Sequence, residues 1–345
     1  MVRRSPRPGL TSAGGKRERQ VGDRRRIPLI DIGAGGPVAL ARAAPERFSD
    51  VLASARARYT AAGLRVGDLL SRGWLERSAN PYAADIAAIA AENFGAGTFA
   101  LNLSYEWTCT TGVGPDPEGR GSRMRRTLDW QFDGLGRNVV VAATEAPAGA
   151  YYNVTWPGFV GVATAMAPGR FSAALNQPPA PRWCGIRPLD WAMSRSRFWC
   201  SRALPPVHLL RQVFDQARTY DEARRLLCET PISVPAFFTL SGTAPDQGCI
   251  VERLEGRFAC RQAPASIANH WISFPVVGWD RGADTVRRFE LMEEMRDRPG
   301  DDFDWVRPPI LNGTTRLAVT ANAAAGRLIV RGYEADGPAT DAFTL

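Results

Sequence analysis

The chain is 345 residues long and 45% hydrophobic, ample for a buried core in one large domain or two. Its formal charge of +8 is concentrated at one end: residues 1–26 carry nine Lys and Arg against Glu18 and Asp23, a net +7, which leaves +1 for residues 27–345. That distribution excludes a basic nucleic-acid-binding face, and no apolar window approaches the length of a membrane-spanning helix.

Residues 1–26 are rich in Gly, Pro, Ser and Arg, and disorder is expected for this basic tail. No apolar stretch follows the basic residues before Ile27, so a cytoplasmic location is expected. Next, Ile27-Pro-Leu-Ile-Asp31-Ile-Gly33-Ala-Gly35-Gly36-Pro37 reads as a strand and a glycine-rich turn. The pattern resembles the loop of nucleotide or S-adenosylmethionine sites, which must open into a helix whose free amides face the ligand. No second strand ending in a ribose-binding acid follows, because 38–77 reads as helices. Phe48, Val51, Leu52, Ala55 and Tyr59, then Leu64, Val66, Leu69 and Leu70, recur at helical spacing. A strand and tight turn is therefore preferred at Gly33, Gly35 and Gly36, and a nucleotide- or S-adenosylmethionine-binding protein is kept as a rival from another class.

A further helix is expected over 81–94, stopped at Gly95. Phe99, Leu101, Leu103 and Tyr105 then alternate, which predicts a strand leading to Cys109-Thr-Thr-Gly-Val113. After Pro115-Asp-Pro-Glu-Gly119 comes Arg126-Thr-Leu-Asp129-Trp130, an arginine and a carboxylate three apart ahead of a turn, a spacing expected to aim both at one point. Strands are predicted over 138–142, 151–156, 159–166, 171–175, 237–240, 249–254 and 257–260, and helices over 206–217, 221–228 and 285–297. A closing hairpin is predicted from 315–321 and 326–333. Six cysteines (Cys109, Cys184, Cys200, Cys228, Cys249, Cys260) include no C-x-x-C pair, and His208 and His270 are the only histidines, so neither a metal nor a cofactor is expected.

Cys109-Thr-Thr-Gly-Val113, the glycine-containing loop and Arg126-x-x-Asp129-Trp130 together resemble the acid ceramidase and N-acylethanolamine acid amidase group. That group belongs with the bile-salt (choloylglycine) hydrolases and penicillin V acylases among the N-terminal-nucleophile hydrolases. Trp156-Pro-Gly-Phe-Val-Gly161, Gly169-Arg-Phe-Ser-Ala-Ala-Leu-Asn176-Gln177, Glu229-Thr-Pro-Ile-Ser-Val-Pro235 and Ala268-Asn269-His-Trp271 follow in the family's order, so the resemblance covers most of 27–335. It implies an α+β fold, a four-layer αββα sandwich, and self-cleavage of the Thr108–Cys109 bond. Residues 27–108 would then be a leading, small-subunit-like segment, and 109–345 the catalytic domain with Cys109 as its new N-terminus.

A thiol near pKa 8.5 needs a base. With two histidines and Lys16 in the tail as the only lysine, the α-amine freed at Cys109, with a pKa of about 7.7–8.0, fits that task. Arg126 is expected to hold the thiolate and orient the substrate carbonyl, and Asp129 to fix the amine. The resemblance assigns Asn269 as the oxyanion donor and Asn176 as a second polar position. A last family arginine falls on Arg288 or Arg281, with Arg288 preferred. His270 is expected to pack beside the site without taking the proton. Trp107, Trp130, Trp156 and Trp271 are candidates for an apolar acyl pocket, or for core. The implied activity is hydrolysis of a linear amide in a small N-acyl compound, lipid-amide or ceramide-like. Its alternatives are an acyltransferase on the same acyl-enzyme, the nucleotide- or S-adenosylmethionine-binding rival, and a non-catalytic relative using its basic tail.

Overall fold

The computed structural model describes residues 24–92, 95–104, 106–300 and 302–345. Most of the basic tail, the end of the helix expected over 81–94 and Tyr105 lie outside the described residues. From Arg25 the chain is tied down, by a parallel bridge to Thr340 and by an Nη1 hydrogen bond to Asn138 Oδ1 at 2.6 Å.

Strand β1 (Leu29–Gly33) leads into α1 (Gly36–Ala43), α2 (Pro45–Tyr59), α3 (Ala61–Ser78), α4 (Ala83–Glu92) and α5 (Thr98–Asn102). Helix α2 buries Phe48, Val51, Leu52 and Ala55, as their spacing predicts. Helix α3 buries Leu64, Trp74 and Leu75 but leaves Val66, Leu69 and Leu70 exposed. The two are separated at Thr60, whose φ is +62° and whose hydroxyl accepts the Gly63 N–H at 3.2 Å.

The strand predicted from Phe99, Leu101 and Leu103 does not form. That stretch enters α5, because the Asp68 carboxylate on α3 accepts the N–H groups of Gly97 and Ala100 at 2.6 and 2.9 Å. A helix N-terminus leaves such amides free, and a carboxylate there favours the helix. Asn102 Nδ2 then closes on Thr98 O at 2.8 Å. A cap supplied by a distant helix outweighs a short local alternation.

The rest of the chain is β2 (Thr108–Pro115), β3 (Ser122–Asp129), α6 (Leu135–Asn138), β4 (Val140–Thr144), β5 (Tyr151–Thr155), β6 (Thr164–Ala167), β7 (Phe171–Asn176) and β8 (Ala180–Pro181). Helices α7 (Arg187–Cys200), α8 (Pro206–Gln216) and α9 (Tyr220–Glu229) precede β9 (Ala236–Ser241), β10 (Gly248–Leu254), β11 (Arg257–Gln262), β12 (Ala265–Ile267) and β13 (Gly278–Trp279). Helix α10 (Thr285–Met295) and the strands β14 (Thr315–Asn322), β15 (Arg327–Glu334), β16 (Gly337–Pro338) and β17 (Phe343–Thr344) complete it. Within 159–166 only β6 is a strand, since Val160 N–H is taken by Asn102 Oδ1 at 2.7 Å and Val162 N–H by Val207 O at 3.0 Å. Helix α7 was not foreseen: Leu189, Trp191 and Met193 are exposed, so its sequence lacks the apolar stripe of a core-facing helix.

Eight strands make one sheet in the order β1-β4-β5-β6-β7-β9-β10-β11, with β1 parallel to β4. The second sheet runs β12-β2-β3-β14-β15-β16, with β17 also on β15. The sheets stack with β2 and β3 against β7 and β9, and the Ser241 and Ser122 hydroxyls meet across the gap at 3.0 Å. Helices cover the outside: Phe214 of α8 packs on Phe171 of β7 with ring centroids 4.9 Å apart, and α10 lies on β2. Gly112 permits that approach, because a methyl group there would stand 2.9 Å from the Met292 side chain. This is an α+β architecture with two main sheets between helices. The next strand after β1 in the chain, β2, belongs to the other sheet, so the βαβ unit of a nucleotide fold is not built from the glycine-rich turn.

Candidate active site

The register of the β2–β3 hairpin sets the site. Cys109 lies opposite Leu128, Thr111 opposite Arg126, and Thr108 opposite Asp129. Successive side chains alternate faces, so Cys109, Thr111 and Arg126 point between the sheets, while Thr108, Thr110 and Asp129 point toward α10. The expectation that Arg126 and Asp129 aim at one point is corrected here: a spacing of three on a strand places them on opposite faces, one on each side of Cys109.

On the inner face, Arg126 Nη2 donates to Cys109 Sγ at 3.2 Å and to Leu175 O at 3.0 Å, and Nη1 donates to Thr164 Oγ1. The thiol of Cys109 lies 3.6 Å from Leu175 O. Asn176, the next residue on β7, accepts from Thr111 Oγ1 at 2.7 Å and donates to Ile267 O and Ala268 O at 3.4 and 3.3 Å. It ties β2, β7 and β12 together one strand position from the sulfur.

On the outer face, Arg288 of α10 organises the backbone of Cys109. Its Nη1 donates to Cys109 O at 3.0 Å and Thr110 Oγ1 at 2.9 Å, its Nη2 to Asn269 Oδ1 at 2.9 Å and its Nε to Ala283 O at 2.9 Å. Asp129 Oδ2 stands 3.9 Å from Arg288 Nη1 and accepts from Thr108 Oγ1 at 3.3 Å and Asn312 Nδ2 at 3.1 Å. Asn269 accepts the Cys109 N–H on Oδ1 at 3.1 Å, and its Nδ2 donates to Gln177 O at 2.7 Å. Asn269 is therefore an acceptor toward the Cys109 peptide nitrogen, and its donor is held by Gln177 O.

Burial pushes the Cys109 thiol above its ordinary value, against the pull of the Arg126 charge. The same cause raises the Asp129 carboxyl, opposed by Arg288. His270 is held low by burial and then by Arg288, with its Nδ1 3.1 Å from Thr285 Oγ1. His208 sits on α8, bonded to Asn80 at 3.0 Å, and burial lowers it to about 3. Arg281 also reaches the neighbourhood, with Nε donating to Pro178 O at 2.8 Å, while the Cys109 carbonyl is held by Arg288.

The four tryptophans divide. Trp107, Trp130 and Trp156 form one cluster, with centroids 5.4 Å apart for Trp107–Trp130 and 6.4 Å for Trp130–Trp156, and Phe159 lies 5.9 Å from Trp107. All three are at most 4% exposed. Trp271 belongs elsewhere, edge-on to Phe237 at 4.7 Å. In this state Trp130 and Trp156 join the leading segment to the sandwich rather than line an open cleft with Trp271. Cys109 itself is fully buried, and Gly282 packs over Thr108, where a methyl group would stand 2.8 Å from Thr108 Cγ2.

Sequence reasoning missed Thr164, Asn312 and Thr285, whose hydroxyl accepts the Asn269 N–H at 2.9 Å. Thr164 lies on β6, Thr285 at the start of α10 and Asn312 in the loop before β14, so no single stretch of sequence brings them together.

The helix-flanked two-sheet sandwich, with a buried cysteine near the start of β2, matches the fold of N-terminal-nucleophile hydrolases. No protein-family model matches the sequence. Acid ceramidase of Homo sapiens is 31% identical over 100 residues, 29% of this chain and 24% of that protein. The N-acylethanolamine-hydrolyzing acid amidase of Cavia porcellus is 26% identical over 162 residues, 46% of this chain and 43% of the relative. The chain therefore spans about a quarter of the acid ceramidases it matches, with 24% for the human protein. Among solved structures, the Caenorhabditis elegans N-acylethanolamine-hydrolyzing acid amidase ortholog superposes with a TM-score of 0.50 at 18% identity, covering 69% of this chain and all of that one. Over part of its length the chain is thus similar to acid ceramidase and N-acylethanolamine-hydrolyzing acid amidase, and its fold is that of the Caenorhabditis elegans ortholog.

Proposed function

We propose that this chain is the precursor of a self-cleaving cysteine amidase that hydrolyses a linear amide in a small N-acyl compound. The observation that carries the reading is the double hold on Cys109: its sulfur is bonded by Arg126 and its own nitrogen by Asn269, from opposite sides of one strand. A residue that is to act as nucleophile through sulfur and as base through nitrogen needs both atoms fixed.

In the first stage the Cys109 thiol attacks the Thr108 carbonyl, the Thr108–Cys109 amide breaks as nitrogen takes a proton, and the resulting thioester is hydrolysed by water. The products are a Thr108 carboxylate and a Cys109 α-amine. In the second stage the amine takes the thiol proton and the thiolate, steadied by Arg126, attacks the substrate carbonyl. Asn269, released from its role as acceptor for a peptide N–H, turns a donor to the oxyanion, a contribution of about 3–4 kcal/mol in comparable sites. The α-ammonium returns its proton to the leaving amine, and water attacks the acyl-enzyme by the same base. Arg288 holds the Cys109 carbonyl through both stages, and Asp129 orients the nitrogen.

Intact-mass measurement and N-terminal sequencing test this directly. Two fragments are expected, the larger beginning Cys-Thr-Thr-Gly, and Cys109→Ala is expected to stay whole and inactive. An active protein that remains one chain would overturn the mechanism.

A further inference from the structure

The outer face of the eight-stranded sheet holds a cavity of about 240 Å³, opened by the turn after β1. Ile32 and Asn153 form part of its floor, Gly36 at the start of α1 and Arg211 of α8 form two walls, and Phe159 closes a third. It is separate from Cys109 by the thickness of the sheet. Asn153 pairs with Ala165, whereas the neighbouring Thr164 turns inward to Arg126, so Asn153 projects to the opposite side.

Two independent features point to an occupant. Asn153 is 7% exposed and lines the cavity, yet its Oδ1 accepts no hydrogen bond. A buried amide oxygen without a donor destabilises a fold, and a ligand N–H or O–H removes that penalty. Across from it, Arg211 directs Nη1 to Asp85 at 2.7 Å and Val160 O at 3.2 Å, with Nε 3.6 Å from Asp215. Its Nη2 turns toward Gly36, where an added methyl group would stand 3.7 Å away. Helix α1 begins at that point without a side-chain cap, so its free amides and dipole reinforce the guanidinium. One wall therefore offers an anion the free guanidinium edge and the helix start, the floor asks for a donor, and Asp215 and Glu145, which also line the cavity, favour a donor that carries positive charge. The volume is below that of ordinary cofactor pockets and suits a ligand smaller than a nucleotide.

We propose that this cavity is a second, non-catalytic binding site for a small organic acid bearing an N–H or O–H donor beside its carboxylate, an α-amino or α-hydroxy acid in size. The carboxylate sits between Arg211 Nη2 and the start of α1, the donor meets Asn153 Oδ1, and an apolar remainder lies on Ile32 and Phe159. Because β1 and α1 come from the leading segment, the ligand bridges it to the rest of the chain. The bridge reaches toward Cys109, since Phe159 packs edge-on against Trp107 and Val160 N–H is held by Asn102.

The test uses the full-length chain carrying Cys109→Ala. Thermal unfolding and titration calorimetry are run with millimolar L-leucine, L-alanine and L-lactate, and with butyrate and butylamine as single-group controls. At least one of the first three is expected to raise Tm by about 3 °C or more with measurable heat, while the controls do not. Asn153→Leu, which removes the orphan oxygen and keeps the volume, is expected to fold and to lose the shift. Should that variant fail to fold, Asn153→Ala, which also removes the acceptor, is expected to lose it instead. No shift with any of the three acids, a shift equal to that of butyrate, or a shift retained in the Asn153 variants overturns the proposal.

Discussion

Replacing Arg288 by Met in the uncut Cys109→Ala chain isolates the outer half of the site. Both Arg288 and Asp129 are 1% exposed and lie 3.9 Å apart, so removing the guanidinium leaves a buried carboxylate without its counter-charge. Breaking such a pair costs about 3–5 kcal/mol. The pH dependence carries the sharper statement. Burial already raises Asp129 and Arg288 opposes it, so without Arg288 the folded-state value moves further above the unfolded value of about 3.9. The folded state of the variant then binds a proton that the unfolded state has released. Its deficit therefore grows as pH rises through that window and shrinks as pH falls. The slope is at most about 1.4 kcal/mol per pH unit, so the deficit relative to the parent should shrink measurably between pH 7 and pH 5. Urea unfolding of the two chains at both pH values measures this. A deficit independent of pH, or under about 1 kcal/mol, would mean that Arg288 does not hold Asp129 in its charged form.

His208 supplies a control of opposite sign elsewhere in the molecule. Its folded value of about 3 lies below the usual 6.5, so the unfolded chain takes up a proton that the folded chain refuses, and stability falls as pH drops from about 7 to 5 by about 2 kcal/mol. His208→Gln should lose that part of the acid sensitivity, and an unchanged profile in urea unfolding would contradict it. Trp107→Ala should cost about 3–5 kcal/mol, because Trp107 is 1% exposed and packs against both Trp130 and Phe159. After cleavage the same variant should let the fragments separate on size exclusion, whereas the parent fragments co-elute.

Much of the fold was legible because its signals are local. The buried face of α2, the turn after β1 and the closing hairpin β14–β15 each follow from periodicity or from glycine within a few residues. The first stretch before Cys109 misled because the deciding group, Asp68, belongs to another helix. The candidate residues converge for a similar mixture of reasons. Cys109 and Arg126 meet through hairpin register, which the motif contains. Asn269, Arg288 and Asn312 arrive from three distant elements, and only the family's order pointed to the first two. The opposed faces of Arg126 and Asp129 follow from strand alternation once 122–129 is recognised as β3 rather than a short segment before a turn.

The parallel pairing of β1 with β4 has a kinetic consequence once the Thr108–Cys109 bond is cut as proposed. Leu29, Ile30 and Asp31 pair with Val141, Ala142 and Ala143, so an edge strand of the larger sheet becomes a separate polypeptide. Before the cut, renaturation is a unimolecular event and its rate is indifferent to dilution. After it, recovery requires two molecules to meet, its rate scales with concentration, and the mature assembly is held by the barrier to its first dissociation.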